Sequence, residues 1–296
     1  MKSWTGMLIV ALLMVVVIGP SLANAQADSS IVAWGDNSVG QCAVPPPNDG
    51  FVAIAGGFWH GLGLKSDGSI VTWGSNDAGQ CNVPEPNAGF VAIAGGYRQS
   101  LALRADGSLA AWGYNSNGEC NLPTPNSGFV AIASGWHHAL ALKDDGSIVG
   151  WGLNAEGQCT PPQPNTGFVA VDCGWRHSLA LRADGSIEAF GSNVHGECDV
   201  PQPNEGFVAI SAGGGHNLAL RSDGSIVAWG RGECCEWEGP SPSSDFVAVV
   251  AAAEHSLGLK ADGSVVAWGQ NASGQLNVPA PNVGFVAIAE GGFSSF

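Results

Sequence analysis

Five histidines, His60, His138, His177, His216 and His255, and five cysteines, Cys42, Cys81, Cys120, Cys159 and Cys198, each occupy a fixed register of this 296-residue chain. Imidazoles and thiols in series are the raw material of a metal centre, of nucleophilic catalysis or of a disulfide framework. Asp-Gly-Ser tripeptides starting at Asp67, Asp106, Asp145, Asp184, Asp223 and Asp262 add carboxylates of the kind that ligate calcium. The spacing argues against all of these. Within each series it is 39 residues or a multiple of it, which puts equivalent residues on separate copies of one unit. Sheets stack about 10 Å apart, whereas metal–ligand bonds are about 2 Å and disulfide Cα atoms lie about 4.4 to 6.8 Å apart.

The histidines are therefore expected to hydrogen-bond within the turn of their own unit. The cysteines, replaced by Leu276 in one copy, are expected to act as small buried hydrophobes. The aspartates read as turn residues, and no Ser/His/Asp or paired-carboxylate set stands apart from the repeat. No catalytic residue, metal or cofactor is assigned. Cys173, Cys234 and Cys235 fall outside the register, and a bridge among them is left open.

The units that position these residues have a constant length. Phe recurs at 51, 90, 129, 168, 207, 246 and 285, and Trp of a Trp-Gly pair at 34, 73, 112, 151, 229 and 268, with Phe190 in the missing place. Each unit reads as four short strands: FVAIA, HSLALK, SIVAWG and a stretch before Pro such as CNVP. Asp-Gly between the second and third is a strong hairpin signal, because the turn needs a positive φ at little cost. Those two strands are apolar at nearly every position, so both faces of each sheet must be covered. Small sheets buried on both sides and repeating about every 40 residues stack radially. The prediction is an all-β, seven-bladed propeller of 39-residue repeats. The chain enters on a SIVAWG strand and ends on FVAIA and the start of the next strand, so both termini should close the last blade and remove the free sheet edges. The short final strand predicts a weak clasp.

The order GGxxHSLALxxDGSIVAWGxNxxGQ resembles the repeat of the regulator of chromosome condensation family over all seven units. Nuclear exchange factors of that family use a β-wedge inserted in one blade. A constant period of 39 leaves no room for one here, so that activity is not carried over. Within the family the layout is most similar to the secreted propeller-type β-lactamase inhibitory proteins, which place aromatic residues in the loop before HSLALK. The matching positions are Phe58, Trp59, Tyr97, Trp136, Trp175 and Phe293; Gly214-Gly215 and Ala253-Glu254 depart from that pattern.

Lys2, the apolar run Met7 to Ile18, Gly19-Pro20 and Ala23-Asn24-Ala25 have the form of a secretory signal peptide, residues 1–25, preceding a propeller over 26–296. The expected location is secreted or periplasmic. Without Lys2 the chain keeps nine Lys and Arg against 25 Asp and Glu. That balance repels phosphate and anionic lipid surfaces, so neither nucleic acid nor membrane is an expected partner. A monomer is expected.

Alternating strand direction puts the FVAIA–HSLALK and WG–GQC loops on one face, and the Asp-Gly-Ser turns and PxPNxG connections on the other. The second face hardly varies between copies. The first carries the differences: Phe58, Trp59, Tyr97, Arg98, Tyr114, Trp136, His137, Trp175, Arg176, Arg231, Trp237 and Phe293 are the candidate partner-binding residues. Trp, Tyr and Arg dominate interface hot spots because they join large contact area to directed hydrogen bonds. The reading is a secreted, non-catalytic protein-binding propeller, with inhibition of a secreted enzyme as one form. A carbohydrate-binding lectin is the alternative, with sugars stacked on the Trp rings, and a polysaccharide-active enzyme is the third.

Overall fold

The computed structural model describes residues 29–232, 239–240 and 243–296. These form seven three-stranded antiparallel sheets, with no helix among the described residues. In the first blade an inner strand, Phe51–Gly56, pairs with a middle strand, His60–Lys65, which pairs with an outer strand, Ile70–Gly74. Inner strands of neighbouring blades contact one another, so they surround the ring axis. The Asp-Gly-Ser turns have positive φ only at glycine (Gly68, +80°), and Lys65 N bonds Ser69 O (2.9 Å). Asp67 has no positive φ; its carboxylate accepts from Ser69 N (2.9 Å), which fixes the turn.

The predicted fourth strand does not join the sheet. Pro84 has no N–H to offer, and Val83 N bonds back to Cys81 O (3.1 Å), so the donors are spent within the stretch. It is instead tied to the outer strand through Thr72 Oγ1, which donates to Cys81 O (2.9 Å). The cysteines are half-buried and unbridged, with Cys42 Sγ against Asp36 O (3.1 Å) and Cys159 Sγ against Leu153 O (3.2 Å). Burial pushes the thiols up, Cys42 to about 11 and Cys159 to about 12.

The core lies between blades. One cluster joins Leu62, Leu64 and Ile70 of the first blade to Phe90, Ile93 and Trp112 of the second. Leu62, Leu101, Leu140, Leu179, Leu218 and Leu257 share one register and are fully buried; each such burial stabilises by about 1.5 to 3 kcal/mol. Phe296 takes that register in the seventh blade and packs edge-on against Trp73 at 5.9 Å. The cations beside the Asp-Gly-Ser turns lie over the first Phe of their own blade, as with Arg104 over Phe90 at 4.1 Å.

The seventh blade is closed by both ends of the described chain. Trp34–Gly35 pairs with Ser294–Ser295, which pairs with Glu290–Gly291. Two further bonds, Ala289 N to Phe296 O and Phe296 N to Ala289 O (3.0 Å each), lengthen this short ladder. The proposed leader and Trp237, Cys234 and Cys235 lie outside the described residues.

The histidine register acts between blades, which corrects the expectation of a bond within each unit's own turn. His60 Nε2 meets Ser100 Oγ of the next blade (2.9 Å), and Ser100 Oγ donates to Gln80 O (2.8 Å). A hydroxyl that has given its proton to a carbonyl can only accept from the ring, so Nε2 carries the hydrogen. His138–Ser178, His216–Ser256 and His255–Ser295 repeat the contact, and His177 uses Asn217 Oδ1 (2.7 Å). Where Gln99 replaces histidine, the facing residue of the third blade is Ala139, and Gln99 Nε2 donates instead to Gly135 O (2.9 Å). The reach to the neighbour follows from strand geometry: the ring leaves the inner end of the middle strand at a blade interface, where the next blade supplies the nearest polar atom.

Candidate partner-binding face

In six blades the inner strand runs into two small residues and a two-residue tip before the middle strand begins; the seventh has Glu290-Gly291 in place of the small pair. The first tip residues around the ring are Phe58, Tyr97, Trp136, Trp175, Gly214, Ala253 and Gly292, and the second are Trp59, Arg98, His137, Arg176, Gly215, Glu254 and Phe293. The turns are tight, with Gly57 N bonding His60 O (2.8 Å), and Phe58 N bonds Gly96 O of the next blade (3.0 Å). A Cβ at Gly57 would lie 2.1 Å from the His60 ring, so glycine is required there. The tips therefore project from a rigid base.

Their side chains converge into one aromatic cluster. Phe58 packs on Trp59 (4.9 Å between centroids), Tyr97 (5.4 Å) and Phe293 (5.3 Å). Tyr97 packs on Trp136 (5.3 Å), Trp136 on Trp175 (4.7 Å), and Phe58 closes the circuit to Trp175 at 6.4 Å. Phe58 and Trp175 belong to the first and fourth blades, so this last contact reaches across the ring. His137 stacks on Trp136 (5.7 Å, interplanar 11°), touches Tyr114 (5.7 Å), and Nδ1 meets Glu119 Oε1 (3.0 Å). These rings are half-buried against one another. Gly214 and Gly292 make room for the cluster: a Cβ at either would lie 3.0 Å from the Trp175 or Phe58 ring.

The cations are spread around the cluster. Arg98 pairs with Asp77 (3.2 Å) and approaches the Tyr97 ring at 5.4 Å. Arg176 is exposed, and Arg231 N bonds Gly215 O (2.7 Å).

At the rings lies a small cavity that is partly open to solvent. Phe58, Tyr97, Trp136 and Trp175 form one side, with Cys173, Ala212, Ala253 and Glu290 among the rest of the lining. The Trp136 indole N–H is buried there without a hydrogen-bond partner. Glu290 Oε2 accepts from Gly292 N (3.0 Å); burial chiefly, with the charge of Asp172 adding, pushes its carboxyl up to about 7. Asp172 accepts from Cys173 N (2.9 Å) and Ala212 N (2.8 Å), and burial outweighs these bonds to raise it to about 6.

Sequence reasoning overlooked Asp172 and Glu290. The signal was present, since they put carboxylates in inner-strand registers that are otherwise Ala, Ser or Val, and Gly, Ala, Ser or Cys.

Radial blades, a closing blade shared by the termini and a face of variable loops define a β-propeller. The Regulator of chromosome condensation (RCC1) repeat matches residues 51–80, 90–119, 129–158, 168–197, 207–234 and 246–275. The chain belongs to this repeat family. No curated protein matches it. Among solved structures, Prp20p from Saccharomyces cerevisiae, described with its binding to Gsp1p and histones, is 18% identical with a TM-score of 0.75, over 91% of this chain and 92% of that one. Human WBSCR16 is 16% identical with a TM-score of 0.66, over 83% and 85%. The CRINKLY ectodomain of the Arabidopsis thaliana receptor kinase ACR4 is 21% identical with a TM-score of 0.66, over 81% and 90%. At these identities the likeness is one of fold.

Proposed function

We propose that the chain is a secreted or periplasmic, non-catalytic propeller that binds a protein partner on its aromatic face, with inhibition of a secreted enzyme as one form. The convergence of Phe58, Tyr97, Trp136 and Trp175 from four blades into one cluster carries this reading. Pre-packed aromatic anchors lose little side-chain entropy on association, which favours a hot spot. That a propeller of similar fold is described as binding Gsp1p and histones is consistent with a protein partner.

Immobilised mature chain is offered culture supernatant, in parallel with a glycan array. Trp136→Ala should weaken capture of the partner about thirtyfold, corresponding to about 2 kcal/mol. The fold should lose no more than about 1 to 2 kcal/mol, because the ring is half-buried. Trp73→Ala is the contrast. Trp73 is buried and its Nε1 donates to Gln41 O (2.8 Å), so truncation should cost about 3 to 5 kcal/mol of stability. Normal capture by Trp136→Ala, or saturable glycan binding with no protein captured, refutes the proposal.

A further inference from the structure

We infer that the mouth of the channel is a seat for one alkylammonium group, presented by the partner as a lysine side chain; this rests on the protein-binding reading above. Phe58, Tyr97, Trp136 and Trp175 line the cavity, and aromatic rings of this kind attract a cation electrostatically. Glu290 supplies the counter-charge: only Oε2 has a hydrogen bond, from Gly292 N, and Oε1 has no partner among the described residues. Asp172, with oxygens held by two backbone N–H groups, adds negative potential without competing for the ligand. Of the cations on this face, Arg98, Arg176 and Arg231, none lines the cavity.

The net charge of −15 draws positive partners to the surface. The Trp136 N–H has no partner and is shielded from solvent, so an outward turn of the ring on binding would let it meet a carbonyl of the segment that carries the cation, which favours a peptide-borne lysine over a free amine.

The probe is n-butylammonium, with n-butanol as the uncharged control, followed by NMR of the indole N–H groups at pH 8, above the Glu290 carboxyl. Butylammonium should shift the Trp136 and Trp175 resonances saturably and bind at least tenfold more tightly than butanol. Glu290→Gln, nearly isosteric, should remove that preference and leave butanol binding unchanged. Trp175→Leu, which keeps the carboxylate, should weaken butylammonium binding about tenfold. Equal binding of the two probes, or an unchanged preference in Glu290→Gln, overturns the seat. If a partner is captured while butylammonium shows no preference, the seat is wrong and the protein-binding reading stands. If butylammonium behaves as expected and no protein is captured, the protein-binding reading fails and the seat stands.

Discussion

Ser178 is the residue whose loss should reveal how neighbouring blades are joined. It is fully buried, accepts from His138 Nε2 (2.9 Å) and donates to Gln158 O (2.9 Å). At the equivalent Gln80 O the outer-strand Trp112 Nε1 is a second donor (2.8 Å), but the fourth blade has Phe190 in that place. Ser178→Ala therefore leaves both His138 Nε2 and Gln158 O unsatisfied, whereas Ser100→Ala leaves only His60 Nε2. A buried polar group without a partner costs about 1 to 3 kcal/mol, so Ser178→Ala should destabilise about twice as much, roughly 2 to 6 kcal/mol. The double variant His138→Gln/Ser178→Ala copies the arrangement of Gln99 and Ala139 between the second and third blades, and should recover the share due to His138. Equilibrium urea unfolding of the mature chain measures all three. The reasoning fails if Ser178→Ala costs no more than Ser100→Ala, or if the double variant is no better than the single.

Acid should destabilise the ring. Burial pushes His60 and His255 down to about 4 and His138 and His216 to about 3, and lowers His177 as well, against an ordinary 6.5. Their neutral burial is fully tolerated above pH 6.5, and that stability is lost as pH falls from 6.5 toward 3 to 4. Asp172 and Glu290, raised to about 6 and 7, act in the opposite sense and favour the fold as pH falls toward 4. Four histidines shifted to about 3 or 4, against two carboxyls, leave a net loss of roughly 3 kcal/mol per pH unit near pH 5, and His177 acts in the same direction; thermal melts from pH 7 to 4 that stay flat would contradict it. Phe296→Ala should cost about 3 to 5 kcal/mol, because the ring is 3% exposed and fills the register that leucine holds in six blades. In hydrogen exchange the two-residue strands of the seventh blade should open before the five- and six-residue strands of the others; equal protection would show that the Ala289–Phe296 bonds suffice to hold it.

What the sequence determined is what repeats and what is local. A period of 39 gave the blade count and the shared closing blade, and Asp-Gly gave the turn, because only glycine takes the positive φ there at little cost. The variable face was legible because strand direction alternates whatever the side chains are. The fourth strand was misread, since a stretch of strand-like composition can spend its donors on its own turns. Tertiary structure decided which residues meet. Ring closure brings together tips separated by multiples of the period, so the Phe58–Trp175 contact spans 117 positions and depends on blade tilt and rotamers that no local pattern encodes. The same closure turns histidine toward the next blade and sets Glu290 beside Asp172 in the channel. Local sequence fixes each strand's own ladder, but the distance between two blades, and hence every contact and charge effect across the axis, exists only once all seven are in place.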